Sequence, residues 1–125
     1  MGRYYSGDIE GKFVFAKQSS SAADRFGDTG NTPSYLEYYY DESNLPGLLS
    51  ELKEIENSFG EHKMAIKAYH DLHGADSHDL REYIQTAELP EMPQESWDEY
   101  YDYRIGIQIL DCIRRTGECN FQAEL

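Results

Sequence analysis

The sequence has little positive charge. Eleven Lys and Arg face 24 Asp and Glu over 125 residues, a formal net charge of −13. General nucleic-acid binding needs a basic field, so DNA is disfavoured as a partner. Cysteine is scarce too, with only Cys112 and Cys119. Their spacing fits neither a CxxC motif nor the framework of a disulfide-stapled secreted domain. They read as two reduced, buried thiols, with a disulfide across the intervening turn as the alternative. Long apolar runs are missing, and no apolar N-terminal core marks a signal peptide. A soluble cytoplasmic protein with no membrane partner is expected. Signatures of chemistry are missing as well. The glycines of residues 19–33 do not match a P-loop, no HExxH is present, and no nucleophile sits in an elbow or triad pattern. No enzymatic activity, metal or cofactor is expected. Internal repeats are absent.

What is present is enough for one folded domain, residues 1–125, with a core that needs no staples. Aromatic residues make up 14% of the chain and 11 are tyrosines, too many for a disordered polymer. Tyrosine at this density suits sheet edges, interfaces and stacking surfaces. The strongest pattern lies at the end, SWDEYYDYRIGIQILDCIRRTGECNFQAEL. Ser96 and Glu99 have the spacing of a capping box. Arg114 and Arg115 suit the last turn of a helix and Gly117 its stop. Trp97, Tyr101, Ile105, Ile109, Cys112 and Ile113 share an apolar face; Arg104, Gln108, Asp111 and Arg115 make a polar stripe. Residues 119–125 then alternate with a period of two, as a half-buried strand does.

Earlier in the chain, Gly7 and Gly11 bracket a turn before a strand in which Phe13 and Phe15 share a face. Residues 19–33 read as a loop, with at most one helical turn over residues 22–26. Residues 35–40, YLEYYY, read as a second strand, with Leu36, Tyr38 and Tyr40 on one side. Residues 45–68 read as a long helix entered at Pro46. Leu45, Leu52, Phe59 and Ile66 form one row of a heptad-like seam, and Leu48, Ile55, His62 and Tyr69 the other. Such a seam suits a helical hairpin or an oligomer, although Gly60 weakens the helix by about 1 kcal/mol. Gly74 ends this region, a short helix runs to about Thr86, and ELPEMPQE is a proline-punctuated linker. The fold class is α+β: a small antiparallel sheet, built from N-terminal strands and a C-terminal strand, packed with two long helices and one short one.

Two sets of residues invite a functional question. His62, His70, His73 and His78 lie near several aspartates, and His70 and His73 have a metal-compatible spacing. No family motif accompanies them, so they read as a solvated helix terminus rather than a metal site. Arg25, Arg104, Arg114 and Arg115 are the second set. An arginine beside aromatic residues in an acidic protein either holds an anion or pairs with a nearby carboxylate.

The strings GRYYSGDIEGKFVFAKQSS, AADRFG, YLEYYYDESNLP and YRIGIQILDCIRRTGECNFQAEL resemble the first-described phage Thoeris anti-defence family. The resemblance implies an oligomeric α+β sponge, a homodimer or larger, that binds cyclic ADP-ribose isomers and in some members cyclic oligonucleotides, without cleaving them. It implies that Arg25 and Arg104 contact the ligand and that Phe13 and Phe15 match the family's aromatic strand positions. Tyr69 and Tyr83 are candidates for a base-stacking ring. The polar stripe adds Gln108, Asp111 and Arg115 as candidate ligand contacts. The rival expectation is an acidic protein that mimics nucleic acid to block a defence nuclease or CRISPR complex; a third is an enzyme that modifies the nucleotide signal.

Overall fold

The computed structural model describes residues 3–13, 18–20, 22–27, 35–74 and 79–124. Four strands, β1 (Tyr4–Gly7), β2 (Gly11–Lys12), β3 (Tyr35–Asp41) and β4 (Glu118–Glu124), form one antiparallel sheet in the order β2-β1-β4-β3. Helices α1 (Leu45–Ser58), α2 (Lys63–His73), α3 (Leu80–Thr86) and α4 (Gln94–Thr116) complete the fold. The α+β class follows directly.

Alternation decides which face of the sheet is buried. Tyr5, Tyr38, Tyr40, Cys119, Phe121 and Ala123 are buried, while Ser6, Glu37, Tyr39, Asn120 and Gln122 are exposed. Phe121 stacks on Tyr38 at 5.0 Å and on Tyr40 at 6.2 Å, and meets the Tyr5 ring edge-on at 6.1 Å. Such ring pairs add about 0.5–1.5 kcal/mol each beyond the area they bury. A buried tyrosine also needs a partner for its hydroxyl. Tyr40 donates to the Ala23 carbonyl at 2.7 Å and Tyr38 to Asp24. Both acceptors lie on the single 3-10 turn Ala22–Phe26, so the phenols tie that turn to the sheet.

Asp41 ends β3 and opens the helical half through a capping box. Its carboxylate accepts from Ser43 N–H at 2.9 Å, and Asn44 Oδ1 accepts from Asp41 N–H at 3.0 Å. Pro46 then occupies the first turn of α1, as expected. The expected single helix over residues 45–68 is instead broken. Gly60 has φ of +59° and opens a short 3-10 turn between α1 and α2. Only glycine takes that conformation without steric cost, so the residue that would weaken a continuous helix divides it. The seam survives the break: Leu48, Leu52, Ile55, Phe59, His62, Ile66 and Tyr69 are all buried within one copy of the chain.

The start of α4 also departs from expectation. Pro93, in extended conformation, is the N-cap, and its carbonyl accepts from Ser96 and Trp97 N–H at 3.0 and 3.2 Å. Ser96 is buried inside the first turn and makes no cap. Proline lacks an N–H and cannot continue a helix backwards, which fixes the boundary. The other end is as expected, with Gly117 left-handed at φ +88° after Arg114 and Arg115. Cys112 and Cys119 flank this end as buried free thiols. Burial, reinforced by a hydrogen bond to Cys112, pushes the Cys119 thiol up. In the N-terminal region β1 precedes the strand expected near Phe13, β2 covers Gly11–Lys12, and Phe15 lies outside the described residues.

Candidate functional site

Arg25 lies in a nest of acids. Its Nε donates to Glu51 at 3.0 Å, and one terminal nitrogen reaches Asp102 at 2.8 Å and Glu99 at 3.2 Å. Burial alone would push its pKa down; the hydrogen bonds to Asp102 and Glu51 and the charge of Glu99 outweigh that and raise it. Of the two readings left open by the sequence, this geometry is the paired one.

The polar stripe of α4 divides between two jobs. Gln108 Oε1 accepts from Tyr5 O–H at 2.7 Å, and its Nε2 donates to the Glu10 carbonyl at 3.1 Å. Gln108 thus docks the β1–β2 hairpin onto the helix. Arg104 is half-buried, and its charge acts on the same phenol: burial raises the Tyr5 pKa to about 12 against the opposing pull of Arg104. Phe13 is buried against Tyr5, ring centres 5.0 Å apart, with the Arg3 guanidinium 5.7 Å from its ring. Asp111 and Arg115 pair at 3.1 Å, one helical turn apart and exposed. Arg104, Gln108 and Phe13 therefore gather around Tyr5, whereas Arg25 has its own acidic surroundings.

Of the four histidines, His62 and His70 are buried, His73 is exposed at the end of α2 as a solvated terminus would be, and His78 lies outside the described residues. His62 Nε2 lies against the Pro90 carbonyl, and His70 is buried with Nδ1 against the Gly74 carbonyl and Nε2 2.8 Å from Tyr100 Oη. A carbonyl only accepts, so Nδ1 carries the proton and Nε2 accepts from the Tyr100 hydroxyl. Of the two stacking candidates, Tyr69 is buried, against His73 at 4.4 Å and Tyr83 at 5.6 Å. No group of three or more potential metal ligands occurs among the described residues.

One cleft gathers what the sequence leaves scattered. Between α1, α2 and α4 lies a hollow of about 420 Å³ whose lining includes Lys53, Lys63, Lys67 and Arg114. Four of the chain's eleven cations thus border one cleft, against three carboxylates, Glu56, Asp71 and Asp111. Its wall is apolar, from Leu49, Leu52, Ile107 and Leu110, with Tyr103 and His70 also lining it. Lys53 and Arg114 have no ion pair or hydrogen bond among the described residues. Lys63 donates to Asn57 at 2.8 Å, and Lys67 lies 3.7 Å from Glu56. A larger hollow of about 800 Å³ lies over the open sheet, but its lining holds Asp8 and Glu37 and no Lys or Arg. The smaller cleft is the better anion site.

Helix α4 shows why the sequence missed it. The cleft is lined by Tyr103, Ile107, Leu110 and Arg114, each one residue before a member of the stripe Arg104, Gln108, Asp111 and Arg115. One residue is a rotation of 100° about a helix axis. Only Asp111 belongs to both. The detectable signal was the lysine spacing: Lys63 and Lys67 are one turn apart, hence on one face.

The fold and cleft define an acidic α+β protein carrying a locally cationic hollow. No family model, curated protein or solved structure matches the chain.

Proposed function

We propose that this chain is a non-enzymatic phage anti-defence protein. It captures cyclic ADP-ribose isomers, or cyclic oligonucleotides, made by Thoeris-type bacterial immunity, and does so in the cytoplasm of the infected cell. The observation that supports this reading is the concentration of Lys53, Lys63, Lys67 and Arg114 around one part-apolar cleft in a chain of net charge −13. Small-ligand sites commonly enclose about 300–1,000 Å³ with apolar walls and a few polar groups. Distant acids do not cancel such a site, because charges more than about 8 Å apart are largely screened at physiological salt. The same cleft favours binding over turnover. His70, the lining residue best suited to proton transfer, already has both ring nitrogens committed.

Isothermal calorimetry with cyclic ADP-ribose isomers tests the proposal, with mass spectrometry of the ligand released on heating. Lys53→Glu and Arg114→Glu should each weaken capture about tenfold or more, the loss expected for reversing a charge that meets a phosphate. The released ligand should be unchanged. Absence of binding to every cyclic nucleotide would overturn the reading, and salt-sensitive capture of a basic nuclease would put nucleic-acid mimicry in its place. A chemically altered ligand would make the protein an enzyme. Light scattering on the same samples reads the proposed homodimer or larger assembly.

A further inference from the structure

The cleft contains a group that a plain phosphate site would exclude. The Glu56 side chain is only 16% exposed, and its Oε2 accepts from the Tyr103 hydroxyl at 2.9 Å. Tyr103 is itself buried. It is wedged edge-on against Phe59 at 5.3 Å and against His70 at 6.0 Å, so its hydroxyl is held in place. The carboxylate is therefore fixed within the cationic hollow. Among the described residues its other oxygen, Oε1, has one ion-pair partner, Lys67 at 3.7 Å, beyond hydrogen-bond reach. Among the described residues that oxygen accepts no hydrogen bond.

A fixed carboxylate repels a bare anion and accepts hydrogen bonds from a neutral donor. The cations Lys53, Lys63 and Arg114 do the opposite. The cleft therefore presents two demands within one volume of about 420 Å³. We propose that Glu56 sets the specificity of the cleft: the ligand must be anionic and must also carry a hydroxyl or amino donor that reaches the Glu56 carboxylate. Nucleotides and sugar phosphates meet both demands. Inorganic sulfate, which carries no proton at neutral pH, meets only the first and is repelled by Glu56.

This inference rests on the proposed capture of a phosphorylated ligand, and one set of titrations separates the two. The full chain is titrated with adenosine diphosphate ribose and, separately, with inorganic sulfate, as wild type and as Glu56→Gln. Glutamine keeps the shape and can still accept from Tyr103, so the fold is retained, with an unchanged urea midpoint as the control. Wild type should bind the nucleotide at least about tenfold more tightly than sulfate, the scale of a hydrogen bond to a charged acceptor. In Glu56→Gln that ratio should fall to about threefold or less, mainly through tighter sulfate binding as Lys67 is released. A ratio near one in wild type, or the same ratio in both proteins, overturns the role of Glu56 while leaving capture standing. If neither probe binds wild type, the role of Glu56 falls, and the capture reading stands or falls on the cyclic-nucleotide calorimetry alone.

Discussion

Replacing Arg25 with alanine separates a structural lock from a ligand contact. The guanidinium sits among Glu51, Glu99 and Asp102 at 2.8–3.2 Å, with side chains 22–40% exposed. Exposed ion pairs contribute roughly 0.2–1 kcal/mol, whereas stripping one partner from a fully buried pair costs about 3–5 kcal/mol. Three half-buried contacts lie between these limits, so Arg25→Ala should lose about 2 kcal/mol. With a typical urea dependence, that moves the unfolding midpoint down by roughly 1 M. The loss should depend on pH. Without Arg25 the three clustered carboxylates repel one another when charged, and protonating carboxylates at low pH removes that repulsion. The deficit against wild type is therefore largest at neutral pH and shrinks towards pH 4. Urea titrations followed by circular dichroism at pH 7.5 and pH 4 measure it. An unchanged midpoint at pH 7.5, together with loss of ligand capture, would refute the lock and return Arg25 to the ligand-contacting role that the resemblance implies.

Other perturbations test the packing and the N-terminal hairpin. A methyl group on Gly106 would meet Leu52 and Phe26 at 2.7 Å, whereas one on Gly47 meets nothing within 4 Å. Gly47→Ala should therefore stabilise, by up to about 1 kcal/mol of helix propensity. Gly106→Ala should destabilise, since over-packing costs about 1–3 kcal/mol; equal gains in thermal denaturation would show that α4 does not approach its neighbours so closely. Burial raises the Tyr5 pKa to about 12, with Arg104 opposing. Its stabilising contribution is complete below the unfolded value near 10 and disappears as pH rises towards 12, a loss on the order of 2 kcal/mol. The advantage of wild type over Tyr5→Phe in urea should shrink across that interval, and a constant advantage would contradict the buried Tyr5–Gln108 contact.

Elements with a strong internal period were legible in the chain. The alternation of residues 119–125 gave β4, YLEYYY gave β3, and the spacing of isoleucines gave α4. The 3-10 turn fell on residues 22–26 as expected. What stayed hidden depends on partners distant in sequence. YYSG is too short to announce a strand and becomes β1 because Tyr5 sits opposite Ala123. The helix break was obscured because His62, Ile66 and Tyr69 keep the seam's phase beyond Gly60. The cleft was missed for a different reason. Lysines 53, 63 and 67 look like ordinary solvated charges until α1 and α2 are folded back beside α4. Arg104 and Arg115 draw the eye to a helix face one residue away, whereas Arg114, singled out with them, does line the cleft.

The strand order also governs how the chain can acquire its structure during synthesis. β4 is the last strand to be made, yet it lies between β1 and β3 and pairs with both. Until residues 118–124 leave the ribosome, β1 has only the two-residue β2 beside it, and such a hairpin is marginal in water. β1 and β3 wait for the same late partner, and pairings as distant as Asp41 with Glu118 or Tyr5 with Ala123 are slow to form. Helices can appear early, but the sheet forms only after translation has passed β4. Until then, the tyrosines that later line its buried face remain exposed.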